Sequence, residues 1–271
     1  MSSNTSCLNC EQPLTGEARF CDNCGQKSDT HRLNLHHLGH ELMHFFTHAD
    51  KGIFFLVKTL ITKPGYAARQ YISGQRKKIF SPINFFLISV AFFLFVQTNF
   101  RPLDRGLDLS GVKEQVLKLP DRVTRERRLL KLERREKGAA FVAKYSNFIN
   151  FTITPLIAWL FFMFYRRSGF NYTEHLVANL YLAGFSALFF GLIIAPLLYF
   201  NKQTTWYFAI VGLFFSFEVI YRSVYYYNFI QKKGAKSYLY SLFTSLFTVI
   251  LWYIISSSLM LLYINTGFGS K

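Results

Sequence analysis

Acidic residues are scarce in this chain. Only 15 Asp+Glu stand against 31 Lys+Arg, and after residue 144 the acids are Glu174 and Glu218 alone. A repeated carboxylate set for hydrolysis or proton relay is therefore excluded from the C-terminal half. Cysteine is absent beyond Cys24, which confines thiol chemistry to the N-terminus. Only one of the seven histidines, His175, lies beyond residue 48. No glycine-rich phosphate loop, nucleophile elbow or inverted repeat occurs. The polar start Met1-Ser-Ser-Asn-Thr leads into no apolar stretch. No cleaved signal peptide is expected, and the first span should act as the membrane signal.

Long apolar runs are abundant. Of 271 residues 51% are hydrophobic and 18% aromatic, with 31 Phe and 16 Tyr, a density suited to lipid contact and interfacial belts. The runs cover residues 79–97, 145–165, 175–200, 205–230 and 238–264. A bilayer-spanning helix needs about 20 apolar residues, because each backbone group must be satisfied inside the segment. A soluble fold would have to bury several helices of that length in a protein too small to cover them. The expectation is an all-α membrane protein of about five transmembrane helices.

The four cysteines form two close pairs, Cys7-x-x-Cys10 and Cys21-x-x-Cys24. Pairs at this spacing fold as two knuckles that deliver four thiolates to one tetrahedral zinc. The stretch is polar, with Asn9, Pro13 and Gly16, as a short ribbon hairpin requires, and Gly25 suits a tight turn at the metal. The rival reading is two disulfides, which an oxidising compartment would permit. Four thiolates fill the shell, so the zinc is read as structural.

His36, His40, His44 and His48 recur every four residues, with Leu35, Leu38, Leu42, Phe45 and Phe46 as an apolar face. This predicts an amphipathic helix at the membrane surface, with a second around residues 52–62. His40-Glu41-Leu42-Met43-His44 also matches H-E-x-x-H, in which two imidazoles bind zinc and the glutamate activates a water. His48, Asp50 or His175 could complete such a site. In a segment this rich in histidine a chance match is expected, so a plain interfacial face is favoured over a metal or pH-sensing stripe, and over catalysis by His40, Glu41 and His44.

Asp50-Lys51-Gly52, Lys63-Pro64-Gly65, Tyr71-Ile72-Ser73-Gly74-Gln75-Arg76 and Ser81-Pro82 follow in order after the ribbon end Cys21-Asp22-Asn23-Cys24-Gly25-Gln26. In these motifs, over roughly residues 7–97, the chain resembles a Bacteroidota family of small polytopic membrane proteins with an N-terminal zinc ribbon and unknown function. The resemblance implies a bacterial inner-membrane protein and supplies no reaction or substrate. Taken physically, Pro64-Gly65 turns the chain. Arg76, Lys77 and Lys78 sit just before the first span and are candidate contacts for anionic lipid headgroups. Pro82 is tolerated in the first turn of a span.

Residues 98–144 hold 13 Lys/Arg and 7 Asp/Glu, and become strongly helical from Arg122 to Lys137. A cytosolic ribbon and five spans put this loop outside, against the positive-inside rule. The loops with Arg166 and Arg167 and with Lys232, Lys233 and Lys236 obey it. Either the loop crosses with its charge offset by its own acids, or residues 79–97 form a re-entrant hairpin. Interleaved acids and few aromatics argue against nucleic acid.

Within the 175–200 run, Ala183, Ala187, Gly191 and Ala195 make a close-packing stripe, and Pro196 should kink or end the helix. Glu218 and Arg222 lie one turn apart within the 205–230 run, an intramembrane pair that reads as a clamp or a polar pathway. Tyr221, Tyr225, Tyr226 and Tyr227 crowd the same end as a belt or pocket lining.

The chain is thus expected to comprise a ribbon (1–30), a His-rich interfacial region (31–78), a first span (79–97), a basic helical loop (98–144) and a four-span bundle (145–271). The expected role is non-enzymatic, an interaction or assembly component with a cytosolic N-terminus and a protein partner, and the sequence permits a homo-oligomer. The alternatives are a small transporter, channel or lipid-handling protein with Glu218 and Arg222 as polar core, and a membrane metalloenzyme using His40, Glu41 and His44.

Overall fold

The computed structural model describes residues 6–14, 18–28, 32–35, 52–102 and 110–266, with backbone alone at 110, 139–151, 256 and 259. Among the described residues there is no strand; two isolated bridges, Ser6↔Pro13 and Phe20↔Lys27, pin the ribbon. The described helices are α1 (Gly52–Thr62), α2 (Tyr66–Ile72), α3 (Pro82–Phe100), α4 (Ser110–Leu117), α5 (Arg122–Phe164), α6 (Tyr172–Phe200), α7 (Trp206–Ile230) and α8 (Ala235–Thr266).

Four of these, α3, α6, α7 and α8, are long and apolar enough to cross a membrane. The backbone of α5 is helical through all of 145–164, which gives the fifth run the length of a span. The chain is an all-α membrane protein. α3 is one unbroken helix that runs alongside α6 from Tyr181 to Tyr199. At one end the Tyr181 hydroxyl donates to the Phe80 carbonyl at 2.6 Å; at the other, the Phe100 ring meets Tyr199 at 6.0 Å. That geometry is a pass and not a re-entrant hairpin.

α6 is the hub, packed against α3, α5 and α7, with α8 lying outside on α5 and α7. Its contact with α3 depends on glycine. A Cβ at Gly184 would stand 2.8 Å from the Phe85 ring, and one at Gly191 would stand 2.6 Å from Phe92. Rings and glycines are both seven residues apart, so two turns of each helix interlock. Gly191 and Ala195 are buried as the stripe predicts, and Gly191 takes the closest ring, whereas Ala183 and Ala187 are half-buried and Gly184, off the stripe, takes the second ring. Pro196 does not end α6. A π-helical turn at Phe190–Ile194 precedes it, the wider turn accommodating the hydrogen bond that proline cannot make.

The α1–α2 turn closes on α7. Gly65 has φ +82°, and a Cβ there would collide with the Tyr225 carbonyl and sit 2.8 Å from the Phe229 nitrogen. Each side then caps the other: Tyr221 donates to the Leu60 carbonyl at 2.9 Å and Arg69 to the Phe229 carbonyl at 2.9 Å.

At the end away from the ribbon, α5 extends as a stalk. Its 43 residues make a rod of about 65 Å, against a hydrocarbon thickness of about 30 Å. Asp121 caps its N-terminus through the Val123 and Thr124 amides. The last turn of α8 lies beside the stalk, where Arg134 donates to the Asn265 carbonyl at 3.1 Å. The ribbon and the basic stalk thus occupy opposite ends of the bundle.

Candidate metal centre and its seat on the bundle

The two knuckles have the same backbone course. The Cys7 amide donates to the Gln12 carbonyl and the Cys21 amide to the Gln26 carbonyl, each at 2.8 Å. In each, the residue after the second cysteine turns left-handed to donate back to the first: Glu11 at φ +63° and Gly25 at φ +67°. Cys7, Cys10, Cys21 and Cys24 place their sulfurs within 4.8 Å of one another, with Cys7–Cys24 and Cys10–Cys21 both at 3.6 Å. A tetrahedral thiolate shell with bonds of about 2.3 Å has edges of about 3.8 Å, so the four could hold a metal ion. All four are free thiols. The Gln12 backbone lowers Cys10 to about 7, whereas burial raises Cys24 to about 11. A divalent cation would neutralise charge that the thiols cannot carry together unaided.

The ribbon is seated on the bundle. The Asn9 side chain accepts from the Lys78 amide at 2.9 Å, and that of Gln26, itself buried, accepts from the Lys77 amide at 3.1 Å. Each knuckle thus contributes one amide side chain to the turn before α3. Sequence reasoning gave neither residue this role, although the repeat Cys-x-Asn-Cys-x-Gln in the two knuckles marks both. Of the headgroup candidates, Arg76 lies over the Tyr71 ring at 6.0 Å and Lys78 over Phe55 at 5.4 Å; Lys77 is exposed.

A second strap follows the ribbon. Arg32 forks onto Glu174, with Nε to Oε1 at 2.8 Å and a second bond to Oε2 at 2.9 Å, and also donates to the Gly169 carbonyl at 2.7 Å. The Glu174 carboxylate is nearly enclosed and simultaneously completes a capping box with Asn171, the N-cap of α6. Asn171 donates to the Leu33 carbonyl at 3.1 Å. The pair raises the Arg32 pKa through the Glu174 hydrogen bond. Because Arg32 and Glu174 are 142 residues apart, no local pattern announces them.

Inside the bundle, Arg222 and Glu218 pair at 3.3 Å with both side chains nearly enclosed. Glu218 Oε1 and Arg222 Nε have no hydrogen-bond partner among the described residues. Tyr221, Tyr225 and Tyr226 are core residues rather than an interfacial belt, since α2, α5 and α6 enclose this end of α7. Tyr225 donates to the Ala178 carbonyl at 2.9 Å, and Asn179 donates to the Tyr226 hydroxyl. His175 is fully buried among the rings of Phe162, Tyr165, Phe170, Tyr226 and Phe229, and neither nitrogen has a described partner. No described metal-binding group includes it. His40, Glu41 and His44, with the rest of the histidine stripe, lie outside the described residues.

A family model described as a protein of unknown function (DUF3667) matches residues 50–94. These are α1, α2, the turn that receives the ribbon, and most of α3. No curated protein and no solved structure matches the chain.

Proposed function

We propose that the chain is a non-enzymatic interaction and assembly component of the bacterial inner membrane. Its ribbon holds structural zinc on the cytosolic side. The four-cysteine shell supports zinc, and with four thiolates it leaves no position for a reacting ligand. The basic turns of the ribbon end, with Arg166, Arg167, Lys232, Lys233 and Lys236, support the orientation by the positive-inside rule. The stalk is then external, and its ion pairs Lys113–Glu136, Lys118–Glu114, Arg122–Glu126 and Lys137–Glu133 offset part of its charge.

The observation that carries the reading is the seat of the ribbon. Asn9 and Gln26 hold it to the bundle, while Phe20, 57% exposed, and Leu8 are left on its surface for a protein partner. A photo-reactive residue at position 20, in cells, should give one discrete protein adduct that disappears in Cys21→Ser/Cys24→Ser. A ladder of unrelated adducts, or the same adduct without the cysteines, rejects the reading.

A transport or lipid-handling role on Glu218 and Arg222 is the second reading, favoured by the one atom of each that has no partner among the described residues. It requires water at Glu218. A cysteine placed there that resists a soluble thiol reagent in intact cells, with the ribbon cysteines as background, removes it.

A further inference from the structure

A cavity of about 830 Å³ opens at the ribbon end of the bundle, between the end of α5, the turn after it, the end of α7 and the start of α8. Its walls are apolar and aromatic, with Phe162, Met163, Tyr226, Ile230 and Tyr240 among them; Arg166, Arg167, Lys232 and Lys236 bring four cations. No acid lines it. The two acids of this half of the chain are held elsewhere, Glu174 by Arg32 and Glu218 by Arg222. Among the described residues none of the four cations is ion-paired.

Two ordinary causes place cations here: helix C-termini attract them, and cytosolic loops accumulate them. Neither creates a cavity of ligand size beneath them. The cavity is also built. Tyr240 donates to the Phe164 carbonyl at 2.9 Å, closing α5, and the Tyr227 hydroxyl accepts the Gly234 amide at 3.3 Å, latching the α7–α8 turn. The Ser168 hydroxyl on its wall is shielded from solvent and has no hydrogen-bond partner among the described residues.

Position selects the ligand class. The cavity lies where the spans end, so its mouth is at headgroup level. Met163, 50% exposed, and Tyr240, 42% exposed, carry its wall onto the outer surface of the bundle, giving an acyl chain a lateral way in. We infer that this cavity binds the phosphate-bearing headgroup of an anionic amphiphile, with the cations on the phosphate and the rings against the first methylenes.

The test uses the full chain in maltoside micelles, titrated in a calorimeter with dioctanoyl phosphatidylglycerol, dioctanoyl phosphatidylcholine and inorganic phosphate. Phosphatidylglycerol should bind at least about tenfold more tightly than either of the others. Lys232→Gln/Lys236→Gln removes two exposed cations and should weaken it about tenfold, while Arg127→Gln/Arg128→Gln on the stalk leaves it unchanged. Inorganic phosphate binding equally well would make the site one for a free anion and overturn the inference. So would an unchanged Lys232→Gln/Lys236→Gln variant, or an equal loss in the stalk variant, which would mean non-specific attraction.

Discussion

The seat of the ribbon can be measured at two amides. Lys77 and Lys78 lie in a turn, and their N–H groups donate to Gln26 and Asn9. Their protection from hydrogen exchange should therefore report docking. Each bond contributes roughly 1 kcal/mol net, so together they give about 2 kcal/mol, or about 30-fold in the docked-to-undocked ratio. Asn9→Ala/Gln26→Ala leaves the four cysteines in place and should retain the metal. In that variant the two amides should exchange about 30-fold faster, with amides inside α2 and α3 unchanged. Stripping the metal with a chelator should give the same acceleration in the wild type, because an unfolded ribbon presents neither acceptor. Docking through Asn9 and Gln26 is refuted if the two amides already exchange at the open-turn rate in the metal-loaded wild type. It is equally refuted if they stay slow in the double variant.

Gly65→Ala should destabilise by about 3 kcal/mol or more, combining a left-handed φ with a collision against the α7 backbone, as read by thermal unfolding in detergent. Gly25→Ala, left-handed but with nothing within 4 Å, should cost only about 1 kcal/mol, and a similar loss at both positions would contradict the packing argument. Arg32→Ala strands the enclosed Glu174 carboxylate and should cost about 2 kcal/mol; a double-mutant cycle with Glu174→Gln that shows no coupling would count against the strap. Metal binding must displace the Cys24 proton throughout the range from pH 6 to 8, since that thiol titrates at about 11, and below pH 7 it must displace the Cys10 proton as well. The metal-loaded form carries fewer protons, so lowering pH favours the metal-free protein. The Kd should rise at least about tenfold per pH unit and more steeply below 7, and a flat profile in competition with a chromophoric chelator would exclude thiolate ligation.

The spans were legible because a bilayer demands a property of consecutive residues, about 20 apolar side chains, which a one-dimensional reading sees directly. The metal shell was legible for a related reason. A Cys-x-x-Cys knuckle is a local turn, and two of them separated by ten residues have few ways to avoid meeting. Pro196 shows where local reading stops: the residue marks a break, but the choice between ending the helix and widening it to a π turn rests on the packing of α6 against α3. The crowded tyrosines of α7 show the same limit, since amphipathic rings suit a headgroup belt and a hydrogen-bonded core equally well.

Composition and spacing therefore determine that this is a helical membrane protein with a four-thiol ribbon, because lipid contact and thiolate ligation act on neighbours in the chain. Which surfaces meet is set by contacts across 51 to 161 residues: Gln26 on the Lys77 amide, Arg32 on Glu174, and Tyr221 on the end of α1. Those contacts satisfy backbone and carboxylate groups that folding buries. Their partners are chosen by proximity in space, and the sequence carries no periodic signal for them.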